Sequence, residues 1–111
     1  MHAGRSRIVG SLRMREPEAL AGPWSIEIGQ QHCSIRLETK RVEAANGWAL
    51  VDSSGCLAAA LPGAVVWRPI PEGIEFAAAD RRSVIVFTAT GDAPVGEGTL
   101  PDGRAATLRP A

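Results

Sequence analysis

Between residues 24 and 37, apolar and polar positions alternate in two short runs. Trp24, Ile26 and Ile28 are separated by Ser25 and Glu27, and Cys33, Ile35 and Leu37 by Ser34 and Arg36. Successive side chains of a strand point to opposite faces, so each apolar triplet lies on one face. The joining residues, Gly29-Gln30-Gln31-His32, form a short polar loop with a glycine, which predicts an antiparallel hairpin. The hairpin gives a core one wall and gives Cys33 an attachment point in it.

The flanking pattern predicts more of the same. Residues 16–21 read as one helical turn, with Pro17 at an early position and Glu16 and Glu18 near the positive end of the helix dipole. Gly22 ends it. Residues 40–46 are charged and polar and close on an Asn46-Gly47 turn signal. Short strands follow at residues 48–51, 64–67 and 74–76, and a helical turn at residues 56–61 is stopped by Pro62-Gly63. Residues 83–88 are the most β-prone segment and are expected to be buried on both faces or nearly so. A weak strand is placed near residues 95–98 and a last one over 105–108. About eight short, regularly spaced strands predict a sandwich or a closed barrel. Residues 1–15 have no periodicity and read as a flexible or extended arm, leaving residues 16–111 as one domain.

Charge changes this picture little. Twelve basic and twelve acidic residues balance over 111 positions, which gives no reason to expect a nucleic acid partner. The arm carries Arg5, Arg7, Arg13 and Arg15 and no acid, so a basic arm precedes a mildly acidic body. No apolar run is long enough to span a membrane. The first ten residues have arginines but no apolar h-region, so no signal peptide is expected within them. The two cysteines, Cys33 and Cys56, are either a disulfide or a pair of buried thiols. A disulfide would close a loop of roughly 24 residues, stabilise the fold by about 3 kcal/mol, and place the protein in an oxidising compartment.

Several segments in order resemble one family, the bacterial inhibitors of serralysin-type zinc metalloproteases. They are Leu20-Ala21-Gly22-Pro23-Trp24, Cys33-Ser34-Ile35-Arg36-Leu37, Asn46-Gly47-Trp48-Ala49-Leu50, Cys56, Trp67-Arg68-Pro69, Pro71-Glu72-Gly73-Ile74 and Thr107-Leu108-Arg109. The resemblance covers residues 11–111. It implies a small eight-stranded, up-and-down antiparallel β-barrel with Cys33 and Cys56 joined. It also implies a periplasmic or secreted monomer that binds a secreted zinc metalloprotease 1:1. In that family a short N-terminal trunk enters the protease cleft and its terminal amine approaches the catalytic zinc. Ser11, Leu12 and Arg13 stand at the trunk's place. Five extended residues, 11–15, would span up to about 17 Å. An amine with a reference pKa of about 8 deprotonates readily beside a metal. The ten residues ahead of Ser11 depart from the family pattern, and with them in place Ser11 carries no free amine.

Other candidate chemistry is sparse. Trp24, Trp48 and Trp67 are candidate partner-facing anchors, although tryptophans on alternating strands more often fill a barrel; Trp67 and Arg68, beside Pro69, are the candidate secondary contacts with a partner. The plainer alternatives are a core Trp67 and an Arg68 paired with a surface acid. His32 and Cys33 are adjacent, so on a strand they face opposite ways, and no metal-binding spacing occurs. No cofactor is expected. His32 is the only histidine of the body, and no Gly-x-Ser-x-Gly elbow accompanies it, so no enzyme is expected. Gly96-Glu97-Gly98 lacks the setting of a phosphate loop and reads as a turn. The alternative to an inhibitor is a binding module on the same barrel, for an envelope protein or a small apolar ligand, which would need an interior cavity.

Overall fold

A computed structural model describes residues 11–13 and 15–111; residues 1–10 and Met14, part of the expected arm, lie outside the described residues. Eight antiparallel strands close into a barrel in chain order, each paired with its neighbour and β1 with β8. They are β1 Gly22–Ile28, β2 Gln31–Val42, β3 Gly47–Val51, β4 Val66–Ile70, β5 Gly73–Ala77, β6 Ser83–Ala89, β7 Gly96–Thr99 and β8 Ala105–Pro110. Among the described residues, two single-turn helices, α1 Pro17–Leu20 and α2 Leu57–Ala60, and a 3-10 turn at Glu43–Ala45 accompany the strands. A closed barrel leaves no open sheet edge, which suits strands this short.

The alternation at the start of the chain becomes the barrel wall. Trp24, Ile26, Ile28, Cys33, Ile35 and Leu37 are all buried, and the residues between them face outward. The register sets Trp24 opposite Ile35 and Ile26 opposite Cys33, so the two triplets meet on one face. Trp67, Ile74, Phe76, Ile85, Phe87 and Leu108 join them inside, with Phe76 and Phe87 packed edge to face at 5.2 Å. The interior positions on which a ligand-binding reading would depend are thus occupied by large side chains.

Two expectations need correction. β6 is not covered on both faces: Ile85 and Phe87 point in, while Val86 is exposed and Val84 only half-buried. An up-and-down barrel has one interior, so alternate residues of β6 must face out however apolar they are. The doubly covered part is β4–β5. The 3-10 turn lays Ala45 over Val66 and Ala77 on the outside, while Trp67 and Phe76 fill the inside. In addition, Gly96-Glu97-Gly98 is not a turn but most of β7, one residue along from the weak strand placed at 95–98. β2 also runs on to Val42 past an irregularity between Leu37 and Arg41, well beyond the apolar triplet that announced it.

The cysteines are joined. Cys33 and Cys56 form a disulfide across a Cα separation of 5.7 Å. Asp52 prepares the segment that brings Cys56 to β2. Its carboxylate accepts hydrogen bonds from the backbone N–H groups of Gly55, Leu57 and Ala58 at 3.0, 3.0 and 3.2 Å, so it closes the turn and caps α2 together. Ser54 is zipped to Ser34 by backbone and hydroxyl bonds of 3.1 Å each.

Candidate functional site

The up-and-down order gathers the start of β1, the β2–β3, β4–β5 and β6–β7 connections and the end of β8 at one mouth of the barrel. The segment ahead of β1 lies at that mouth. Glu16 has extended backbone, and the Ala19 N–H donates to its carbonyl at 3.0 Å to close the single turn of α1. Leu20 is buried, and its carbonyl accepts the indole N–H of Trp24 at 2.7 Å. Gly22 then enters β1 at φ +126°, a conformation that a side chain would strain. It serves to redirect the chain rather than to cap α1 as the sequence suggested.

The three residues expected to form a trunk are placed differently from one another. Ser11 is half-buried, Leu12 is fully buried in the barrel core, and Arg13 is exposed, its N–H donating to the Ser11 hydroxyl at 3.2 Å. Leu12 reaches the start of β7, where Gly96 has no side chain. A Cβ built on Gly96 would lie 3.0 Å from a Leu12 methyl and 3.0 Å from the Phe87 Cβ. Of the described residues 11–13, then, Leu12 is the one that anchors in the barrel core.

Beside it runs an open groove of about 410 Å³, walled by Arg15 on the arm side and by Arg41, Trp48, Arg68, Pro69 and Pro71 on the barrel side. It exists because β3 and β4 pair only at Trp48–Trp67 and Ala49–Val66, and the rest of β4 runs on without a β3 partner. Pro69, without an N–H, suits such an unpaired stretch. Trp48 is half-buried here, with the Arg41 guanidinium 4.8 Å from its ring centroid. Arg41 also bonds Asn46 at 2.7 Å and Glu43 at 3.2 Å.

Of the two candidate secondary contacts, Trp67 offers a partner no surface. It is fully buried, packs against Trp48 with the rings tilted and their centroids 6.0 Å apart, and donates its indole N–H to the Glu38 carbonyl at 2.9 Å. Arg68 lies at the groove but is committed to the fold. It forms an ion pair with Glu75 at 3.3 Å, both side chains largely buried, and donates to the backbone carbonyls of Asn46 and Arg81 at 3.2 and 3.1 Å. Gly96 is the site feature that sequence reasoning missed, and Trp48, an anchor candidate there, read first as barrel filling. Alternation made Trp48 look like plain filling, and a glycine in a glycine-rich stretch signals a turn before it signals a socket.

Among the described residues, no group of three or more His, Cys, Asp or Glu side chains is placed to hold a metal ion. His32 points outward, 3.8 Å from Glu27, while Cys33 points in. The Asp102 carboxyl is far from this mouth, in the β7–β8 turn. The backbone N–H of Arg104 holds it below the usual aspartate range, helped by the Arg104 side chain.

Likeness to known proteins gives this geometry a context. A proteinase inhibitor of Dickeya chrysanthemi is 36% identical over 103 residues, covering 92% of this chain and 83% of that protein. A solved structure, that of a psychrophilic marine protease MP inhibitor, superposes with a TM-score of 0.71 at 21% identity, covering 87% of this chain and all of the other; it shows the same fold. The family model for protease inhibitor Inh matches residues 14–109. The chain therefore belongs to the Inh family of protease inhibitors, and is an inhibitor rather than an enzyme.

Proposed function

We propose that this inhibitor acts on secreted serralysin-type zinc metalloproteases, one molecule to one protease. The arm-bearing mouth faces the cleft, and Ser11, Leu12 and Arg13 enter it. The observation that carries the reading is the position of this segment: it lies at one mouth of a rigid barrel, with Arg13 outward. A barrel docked at the cleft supplies a shoulder that is already ordered, so little conformational entropy is lost on binding. The zinc is the protease's. Extended, residues 11–15 reach about 17 Å beyond the shoulder. For that, Leu12 must leave the barrel core, and burial of a leucine is worth about 2 kcal/mol, which contacts in the cleft must offset. The family and the disulfide fit a non-cytoplasmic location, and the proposed target makes it the periplasm or the exterior.

The test is to titrate a serralysin-type protease with two forms, the full chain and one beginning at Ser11. Stoichiometric inhibition by the shorter form, with much weaker inhibition by the longer, supports entry by a free Ser11 terminus. Equal inhibition keeps the target and removes the amine from the mechanism. No inhibition by either form, both folded and disulfide-bonded, refutes the target.

A further inference from the structure

We propose that the inhibitor competes with its own target for the arm: the barrel stores Leu12 in the free protein, and release of Leu12 gates binding. The proposal rests on the reading of residues 11–13 as the segment that enters the protease. It starts from an incompatibility, since one side chain cannot fill the barrel and a protease cleft at once.

The storage place is built for its occupant. Leu12 is wholly buried and belongs to the main core cluster, while Ser11 is half-buried and Arg13 exposed. Gly96, itself buried, faces it from β7. Among the described residues seven glycines have positive φ, and Gly96 is not among them, so its backbone does not call for glycine. What calls for glycine is room: a Cβ there would meet both Leu12 and Phe87 at 3.0 Å. Leu12 thus fills the space of a side chain that β7 lacks. Among the described residues, 11–13 make no backbone hydrogen bond to a strand. Of residues 11–13, Leu12 is the one buried in the core, and a clasp made by an apolar side chain opens without breaking the barrel's backbone hydrogen bonds.

The consequence is quantitative. If only the released form binds, the apparent affinity is the intrinsic affinity reduced by the released fraction. A change that weakens the clasp without touching the protease must therefore strengthen inhibition. Gly96→Ala is that change. It crowds the socket from inside and leaves the residues 11–13 that enter the cleft unaltered.

The experiment measures association rate and inhibition constant against a serralysin-type protease for the wild type and G96A, with thermal melts to check that both are folded. The proposal predicts association faster by about tenfold and a correspondingly tighter inhibition constant for G96A. Slower or weaker inhibition by folded G96A overturns it, because Leu12 would then act as an anchor that stays in the barrel. Should G96A fail to fold, NMR of the wild type decides. Cross-peaks between the Leu12 methyls and the Gly96 α protons must be present in the free inhibitor and absent from the complex, and their persistence in the complex overturns the proposal. A wild type that does not inhibit this protease class at all instead refutes the proposed target, and the gate falls with it.

Discussion

Leu12→Ala tests whether the arm is part of the folded barrel. Leu12 is fully buried and packs where β7 has no side chain. Truncating a buried leucine removes transfer free energy and leaves a cavity, together 2–5 kcal/mol in closed cores. Here the loss falls at the low end, about 2 kcal/mol, because, among the described residues, 11–13 make no backbone bond to a strand and can lift away instead of preserving a void. For a domain of this size each kcal/mol moves the melting temperature by about 4 °C, so L12A melts about 8 °C below the wild type. Arg13→Ala is the control: Arg13 is exposed, and its loss stays within about 0.5 kcal/mol. Differential scanning calorimetry of the three proteins, all with the disulfide intact, reads both values. If L12A melts within about 2 °C of the wild type, Leu12 contributes nothing to the fold, and the reasoning about a socket at Gly96 fails.

Other parts of the structure give independent expectations. Replacing both Cys33 and Cys56 by Ala lowers unfolding free energy in urea by about 3 kcal/mol, since a loop of roughly 24 residues is no longer closed; a loss below about 1 kcal/mol would contradict this. Asp52→Ala removes the acceptor of three backbone N–H groups and lowers stability by about 1–2 kcal/mol, with faster reduction of the Cys33–Cys56 bond as Cys56 loses its support. Arg68→Met leaves the Glu75 carboxylate half-enclosed without its partner and frees two backbone carbonyls, which lowers stability by about 2 kcal/mol; Arg68→Met with Glu75→Leu restores most of it in a double-mutant cycle.

The sequence makes some of these elements plain and conceals others for physical reasons. β1 and β2 are legible because a strand with one face buried must alternate, and residues 24–28 and 33–37 do so on either side of a short polar loop. β6 misleads because Val84, Ile85, Val86 and Phe87 are apolar in a row, and nothing local says which of them a closed barrel will turn outward. β4 conceals its cover because Ala45, the residue that shields Val66, is a small side chain in a polar stretch. Trp67 and Arg68 sit beside a proline that does end near an open groove, yet alternation across β4 sends Trp67 inward. The trunk is legible only as a resemblance. That Leu12 turns back into the barrel depends on a gap at Gly96, 84 positions along the chain, which no local pattern reports.

The proposed target of this barrel is a serralysin-type metalloprotease. The most direct test is an active-site titration: protease at a concentration well above the expected dissociation constant, with residual peptidase activity measured as folded, disulfide-bonded inhibitor is added. The account predicts a linear fall to zero at one equivalent. Activity that stays unchanged through several equivalents would contradict it.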